Sequence, residues 1–105
     1  MAQNQLVTLC TVPDRAAGEK LARALVEERL AACVNLVPGL SSTYRWEGKI
    51  VTEAECLLII KSAAPFEVLR ARIKALHPYE TPEIIAIPIA HGDESYMKWL
   101  TENSK

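Results

Sequence analysis

Ala32-Cys33-Val34-Asn35-Leu36-Val37-Pro38-Gly39-Leu40-Ser41-Ser42-Thr43-Tyr44-Arg45-Trp46-Glu47-Gly48-Lys49-Ile50-Val51-Thr52-Glu53-Ala54-Glu55-Cys56-Leu57-Leu58-Ile59-Ile60 is the stretch that decides the fold. It is β-rich on both sides of Glu47-Gly48, a two-residue turn signal, and so reads as one long hairpin. Pro38-Gly39 interrupts the first arm, where a bulge or bend is expected. The run Cys56 to Ile60 is apolar on both faces, the pattern of a central strand.

Upstream, Gln5 to Val12 is a strand that closes at Pro13. Asp14 then suits the N-cap of a helix over Arg15 to Leu30, whose Leu21/Leu25 and Ala22/Val26 pairs recur at i, i+4. Downstream, Pro65 opens a second helix with Phe66, Leu69, Ile73 and Leu76 on one stripe. That helix stops at His77-Pro78, because proline drives the residue before it out of the helical region. A strand over Ile84 to Ile89 follows. His91-Gly92-Asp93 then caps a terminal helix whose Tyr96, Trp99 and Leu100 need something to pack on.

The order is therefore β-α-β-β-α-β plus a C-terminal helix, an α+β, ferredoxin-like arrangement of two split βαβ units. Right-handed crossovers give an antiparallel sheet ordered 4-1-3-2, with both main helices on one face. At 105 residues the whole chain, 1–105, is expected to be a single domain with one core. Strands one and four become antiparallel neighbours, so Cys10, His77 and Glu83 can converge although they are distant in sequence.

Composition narrows the partners. Twelve basic residues against 13 acidic ones, with 50% apolar content, provide no net field for nucleic acid or an anionic membrane. No apolar run approaches the length that spans a bilayer, and the N-terminus lacks a secretory pattern, so a cytoplasmic protein without membrane or nucleic-acid partners is expected. Cys10, Cys33 and Cys56 form no C-x-x-C pair and read as free thiols in a reducing compartment.

The segment His77-Pro78-Tyr79-Glu80-Thr81-Pro82-Glu83 carries groups able to bind protons or metal on a loop stiffened by two prolines. Thiolate with imidazole suits Cu(I), Cu(II) or Zn(II). Each residue also has a plainer reading: Cys10 as a core thiol, His77 on the last carbonyls of its helix, Tyr79 and Glu83 satisfying the loop backbone or neighbouring chains. Tyr44, Arg45 and Trp46 are the composition of an interface, on a hairpin too long for its own helices to cover. Nothing supplies a Ser-His-Asp set or a glycine-rich phosphate cradle, so no enzyme is expected.

Taken together, Glu28-Arg29-Leu30-Ala31-Ala32-Cys33-Val34-Asn35, Pro38-Gly39, Tyr44-Arg45-Trp46-Glu47-Gly48-Lys49 and the His77–Glu83 segment resemble the CutA divalent-cation tolerance family from about Val7 to Leu100. That resemblance implies a homotrimer, cytoplasmic in bacteria, non-enzymatic, tied to the response to metal ions and binding copper or another divalent metal. Ligands proposed in some relatives fall by position on Cys10 and His77, with Leu76 where a second histidine would stand; Glu83 could complete the set. The alternative is a small-ligand-sensing or scaffolding trimer resembling the PII-type proteins, with clefts between subunits lined by Tyr79, Glu80 and Arg45.

Overall fold

A computed structural model describes residues 4–104. Its elements run β1 (Leu6–Val12), α1 (Arg15–Glu27), β2 (Cys33–Trp46), β3 (Lys49–Ser62), α2 (Phe66–Leu76), β4 (Ile85–Pro88) and α3 (Glu94–Glu102). The four strands form one sheet ordered β2-β3-β1-β4, and every pairing is antiparallel. Counted from the β4 edge this is 4-1-3-2, the expected ferredoxin-like order.

Register follows the pleat. Thr8, Cys10 and Val12 on β1 stand opposite Ile60, Leu58 and Cys56 on β3. These side chains face Leu21 and Leu25 of α1 and Leu69 and Ile73 of α2, and together they make the core. Thr8 is the exception in that layer: it is fully buried and its hydroxyl has no hydrogen-bond partner. An unsatisfied buried hydroxyl is destabilising, so Thr8→Val should raise the unfolding free energy by about 1 kcal/mol. Urea titration checks this, and a loss of stability would mean that ordered water satisfies the hydroxyl.

Local chemistry sets the element ends. Asp14 caps α1 by accepting from the Ala17 backbone N–H at 2.8 Å. The helix ends at Glu27, three residues before the sequence-based expectation of Leu30. The reason is that Arg29 takes a left-handed φ of 60°, while the Leu30 N–H reaches the Leu25 carbonyl at 2.9 Å and the Arg29 N–H the Val26 carbonyl at 3.1 Å. That pair of bonds is a Schellman closure, ordinarily a glycine's place. α1 also lies close to the sheet at Gly18, where a Cβ would stand 2.7 Å from Leu36 Cδ1 and 3.0 Å from Val12 Cγ2. Pro65 sits one residue outside α2 rather than in its first turn, and β4 is shorter than Ile84 to Ile89 by one residue at each end.

The hairpin forms as read. Glu47 and Gly48 both have positive φ, 49° and 81°, as a tight two-residue turn between right-twisted strands demands. Val37 pairs with Leu57 and Leu40 with Glu55, so Pro38 and Gly39 together oppose Cys56 alone, a β-bulge at the expected place. Each arm has 14 residues and spans roughly 45 Å at the rise of an extended strand. The molecule's longest dimension is 45 Å, so the hairpin sets its length.

α3 is less buried than its pattern suggests. Leu100 is fully buried, but Tyr96 and Trp99 stay 41% and 44% exposed and stack on each other at 5.6 Å. The end of α3 is held by Ser104, whose hydroxyl accepts from the Ala63 backbone N–H at 2.8 Å, by the Thr101 hydroxyl, which accepts from the Gln5 side-chain amide at 3.0 Å, and by the Glu102 carbonyl, which accepts from Arg29 at 2.5 Å.

Candidate functional site

The exit of β1 meets the loop after α2. His77 ends α2 with an extended backbone, as Pro78 requires, and its ring turns inward until the residue is 7% exposed. Nε2 lies 2.7 Å from the Thr11 carbonyl oxygen. A carbonyl only accepts, so Nε2 carries the proton. Nδ1 then accepts the Tyr79 backbone N–H at 3.0 Å, and the two rings pack at 4.8 Å. Cys10 is fully buried, and its thiol donates to the same Thr11 carbonyl at 3.7 Å. Thiol and imidazole are thus brought together on one acceptor, as the strand order predicts. Glu83 is near enough that its charge acts on Cys10: burial, then Glu83, then Glu55 push that thiol's pKa up to about 12.

In this bonding Cys10, His77 and Glu83 do not fit a metal ion. Both imidazole nitrogens are committed to the backbone, the thiol is held protonated, and a metal binds a thiolate and a free imidazole lone pair. Among the described residues no group of three or more His, Cys, Asp and Glu side chains is arranged to hold an ion. Leu76, where the resemblance leads one to expect a second histidine, is 36% exposed.

Beside this cluster lies a cavity of about 580 Å³ between the hairpin and the 77–83 loop. Tyr79 and Glu80, expected to line clefts between subunits, line this cavity within one protomer, and Arg45 is not part of its wall. Tyr44 and Trp46 do line it, so the hairpin aromatics read as interface residues also face a cavity. Tyr79 donates its hydroxyl to Glu55 at 2.7 Å, and Tyr44 donates to Glu53 at 2.5 Å. Burial first, then the bond to Glu55, raises the Tyr79 phenol pKa; the bond to Glu53 does most to raise that of Tyr44. Glu53 and Glu55 went unsingled in the sequence, although their i, i+2 spacing on a strand puts both carboxylates on one face.

By the same parity Glu53 and Glu55 share their side of β3 with Leu57 and Ile59. That side of the sheet has no helix on it. Leu9 stands there between Ile59 and Ile85, and Val7 beside Ile87; Ile85 and Ile87 are each 52% exposed and Val37 is 39% exposed. The hairpin tip is as bare, with Trp46 at 55% and Ile50 at 62%. No helix among the described residues is long and apolar enough to cross a membrane.

Comparison with known proteins gives a consistent result. A family profile described as CutA1 divalent ion tolerance protein matches residues 6–103. The chain is 54% identical over 99 residues to the divalent-cation tolerance protein CutA of Thermus thermophilus, covering 93% of this chain and 96% of that one. It is 48% identical over 101 residues to the chloroplastic CutA of Arabidopsis thaliana, covering 95% of this chain and 56% of that protein. The solved structure of the Thermus thermophilus divalent cation tolerance protein superposes with a TM-score of 0.91 at 52% identity, over 96% of this chain and 99% of that one.

Proposed function

The chain belongs to the CutA1 divalent ion tolerance family, and from that premise we propose that it acts as a non-enzymatic homotrimer in the response to divalent metal ions, copper among them. The observation that carries this reading is the family match over residues 6–103. Three free cysteines agree with a reducing, cytoplasmic setting.

The homotrimer is supported by what the protomer leaves bare. A sheet with an apolar face must cover it, and here the helices cover only one side. Three copies closing cyclically would bury Val7, Leu9, Ile59, Ile85 and Ile87 together with the hairpin residues Tyr44, Arg45 and Trp46.

Direct metal contact at Cys10, His77 and Glu83 is what the resemblance implies, and since these residues as bonded do not fit an ion, it requires His77 to give up one of its two backbone hydrogen bonds and Cys10 to give up its proton. A thiol with its pKa at about 12 has to lose its proton to become a ligand, so affinity should be low at pH 7 and climb steadily to pH 10 instead of levelling near 8.5. Calorimetric titration of the reduced protein with Cu(I), Cu(II) and Zn(II), beside Cys10→Ser and His77→Ala, reads this directly. Binding that is independent of pH and kept in both variants would move the metal off these residues.

The cleft favours a second reading, a small-ligand-sensing or scaffolding trimer like the PII-type proteins. Its support is a cavity of about 580 Å³ lined by Tyr79 and Glu80, within the size range of small-molecule sites. A nucleotide, metabolite or amine retained at this cleft by the purified trimer would favour it over direct metal sensing.

A further inference from the structure

We propose that Cys33 and Lys61 form a reversible covalent bridge under oxidation: a hydroperoxide converts the Cys33 thiol to a sulfenic acid, and the Lys61 amine captures it as a sulfenamide. The chemistry uses none of Cys10, His77 and Glu83 and goes beyond the metal reading.

Placement is the first argument. Cys33 and Lys61 stand directly opposite each other on β2 and β3, so their side chains leave the same face of the sheet from Cβ atoms about 5 Å apart. Lys61 Nζ lies 3.9 Å from Cys33 Sγ. The Asn35 side-chain oxygen accepts from Cys33 at 3.8 Å and also from the Lys61 ammonium, which holds amine and thiol side by side. Among the described residues Lys61 has no carboxylate partner to draw its nitrogen away.

Access is the second. Cys10 is fully buried and Cys56 is 7% exposed, both inside the core, whereas Cys33 is partly exposed. Susceptibility to peroxide follows the exposure of the thiol. Across the sheet one row runs Ile87, Val7, Lys61, Cys33, turning from apolar to polar at Lys61 and ending on the edge strand β2. The pair therefore stands at the rim of the face that the proposed trimer covers, and interface rims are polar and reached by solvent.

In the first step the Cys33 sulfur attacks a peroxide oxygen. A sulfur–oxygen bond forms, the oxygen–oxygen bond breaks, and the thiol proton leaves with the departing oxygen as water or an alcohol; sulfur gives up two electrons and the peroxide takes them. Lys61 then releases its ammonium proton to solvent, and its lone pair attacks the sulfur. The sulfur–nitrogen bond forms, the sulfur–oxygen bond breaks, and hydroxide leaves with a proton from the amine as water, with no further oxidation. Two equivalents of an external thiol restore both side chains and depart as a disulfide. Capture by Lys61 keeps Cys33 from the irreversible sulfinic acid and replaces a charge at the rim with a neutral link.

The test treats the purified full chain in its native assembly with hydrogen peroxide, with dimedone present in a parallel sample to trap sulfenic acid. Cleavage after glutamates separates Cys33 from Lys61, so mass spectrometry of the unreduced digest should find their peptides joined, lighter by two hydrogen atoms and released by dithiothreitol. Lys61→Arg keeps the positive charge and removes the capturing amine: the joined peptide should be lost and dimedone should now label Cys33. A joined peptide that persists in Lys61→Arg is a disulfide to Cys56 and would overturn the proposal. So would Cys33 left unoxidised in the parent, or dimedone labelling of Cys33 as strong in the parent as in Lys61→Arg.

Discussion

Ile85→Glu should leave the protomer folded and turn the proposed trimer into monomers in light scattering. Ile85 pairs with Leu9 across β1 and β4 and is 52% exposed in the protomer, so within one chain a glutamate there stays in water and its effect on unfolding should be small, within about 1 kcal/mol. In the proposed trimer the same carboxylate would be carried into an apolar contact once per subunit. An uncompensated buried charge costs at least about 3 kcal/mol each time, and cyclic closure repeats the cost three times. Circular dichroism should stay native while the mass falls to one third. A mass unchanged from the parent would show that the helix-free face is not what joins the subunits.

His77→Ala should have the largest effect on stability, and should have it without any metal present. The imidazole joins two segments that are far apart in sequence: Nε2 donates to Thr11 and Nδ1 receives Tyr79. Truncation leaves a carbonyl and an amide without partners in a nearly closed space and opens a void beside the Tyr79 ring. Two lost bonds at about 1 to 1.5 kcal/mol each, with the cavity added, predict a loss of about 2 to 4 kcal/mol. Urea unfolding in chelator reads it. If stability in chelator matched the parent while metal uptake disappeared, His77 would be a ligand held free for that purpose, and its two backbone contacts would count for little. This separates the two readings of the histidine more cleanly than metal uptake alone, because a destabilised site also stops binding.

Several features were legible in the chain because they depend on local rules. Pro38-Gly39 marked the bulge, Glu47-Gly48 the turn and Asp14 the cap, each for a reason contained within a few residues. The apolar pattern and the handedness of crossovers were enough for the sheet order, and the sheet order was enough to bring Cys10 beside His77. Other features were not legible. α1 stops early because Arg29 adopts a left-handed turn, a conformation a sequence reader assigns to glycine or asparagine. Tyr96 and Trp99 fall at core spacing yet remain exposed, since one protomer offers α3 too little surface to cover them.

The sequence by itself determined the order of elements, the hairpin with its bulge, the lack of a strong net charge and the identity of the loop residues, because periodicity, turn chemistry and charge are properties of neighbours along the chain. Only the tertiary structure decided what those loop residues are free to do. Hydrogen-bond partners and burial come from segments far apart in sequence, so nothing near His77 reveals that Thr11 and Tyr79 take both its nitrogens. The same holds for Glu55, which reads as an ordinary strand acid until the hairpin, the loop and β1 close around it.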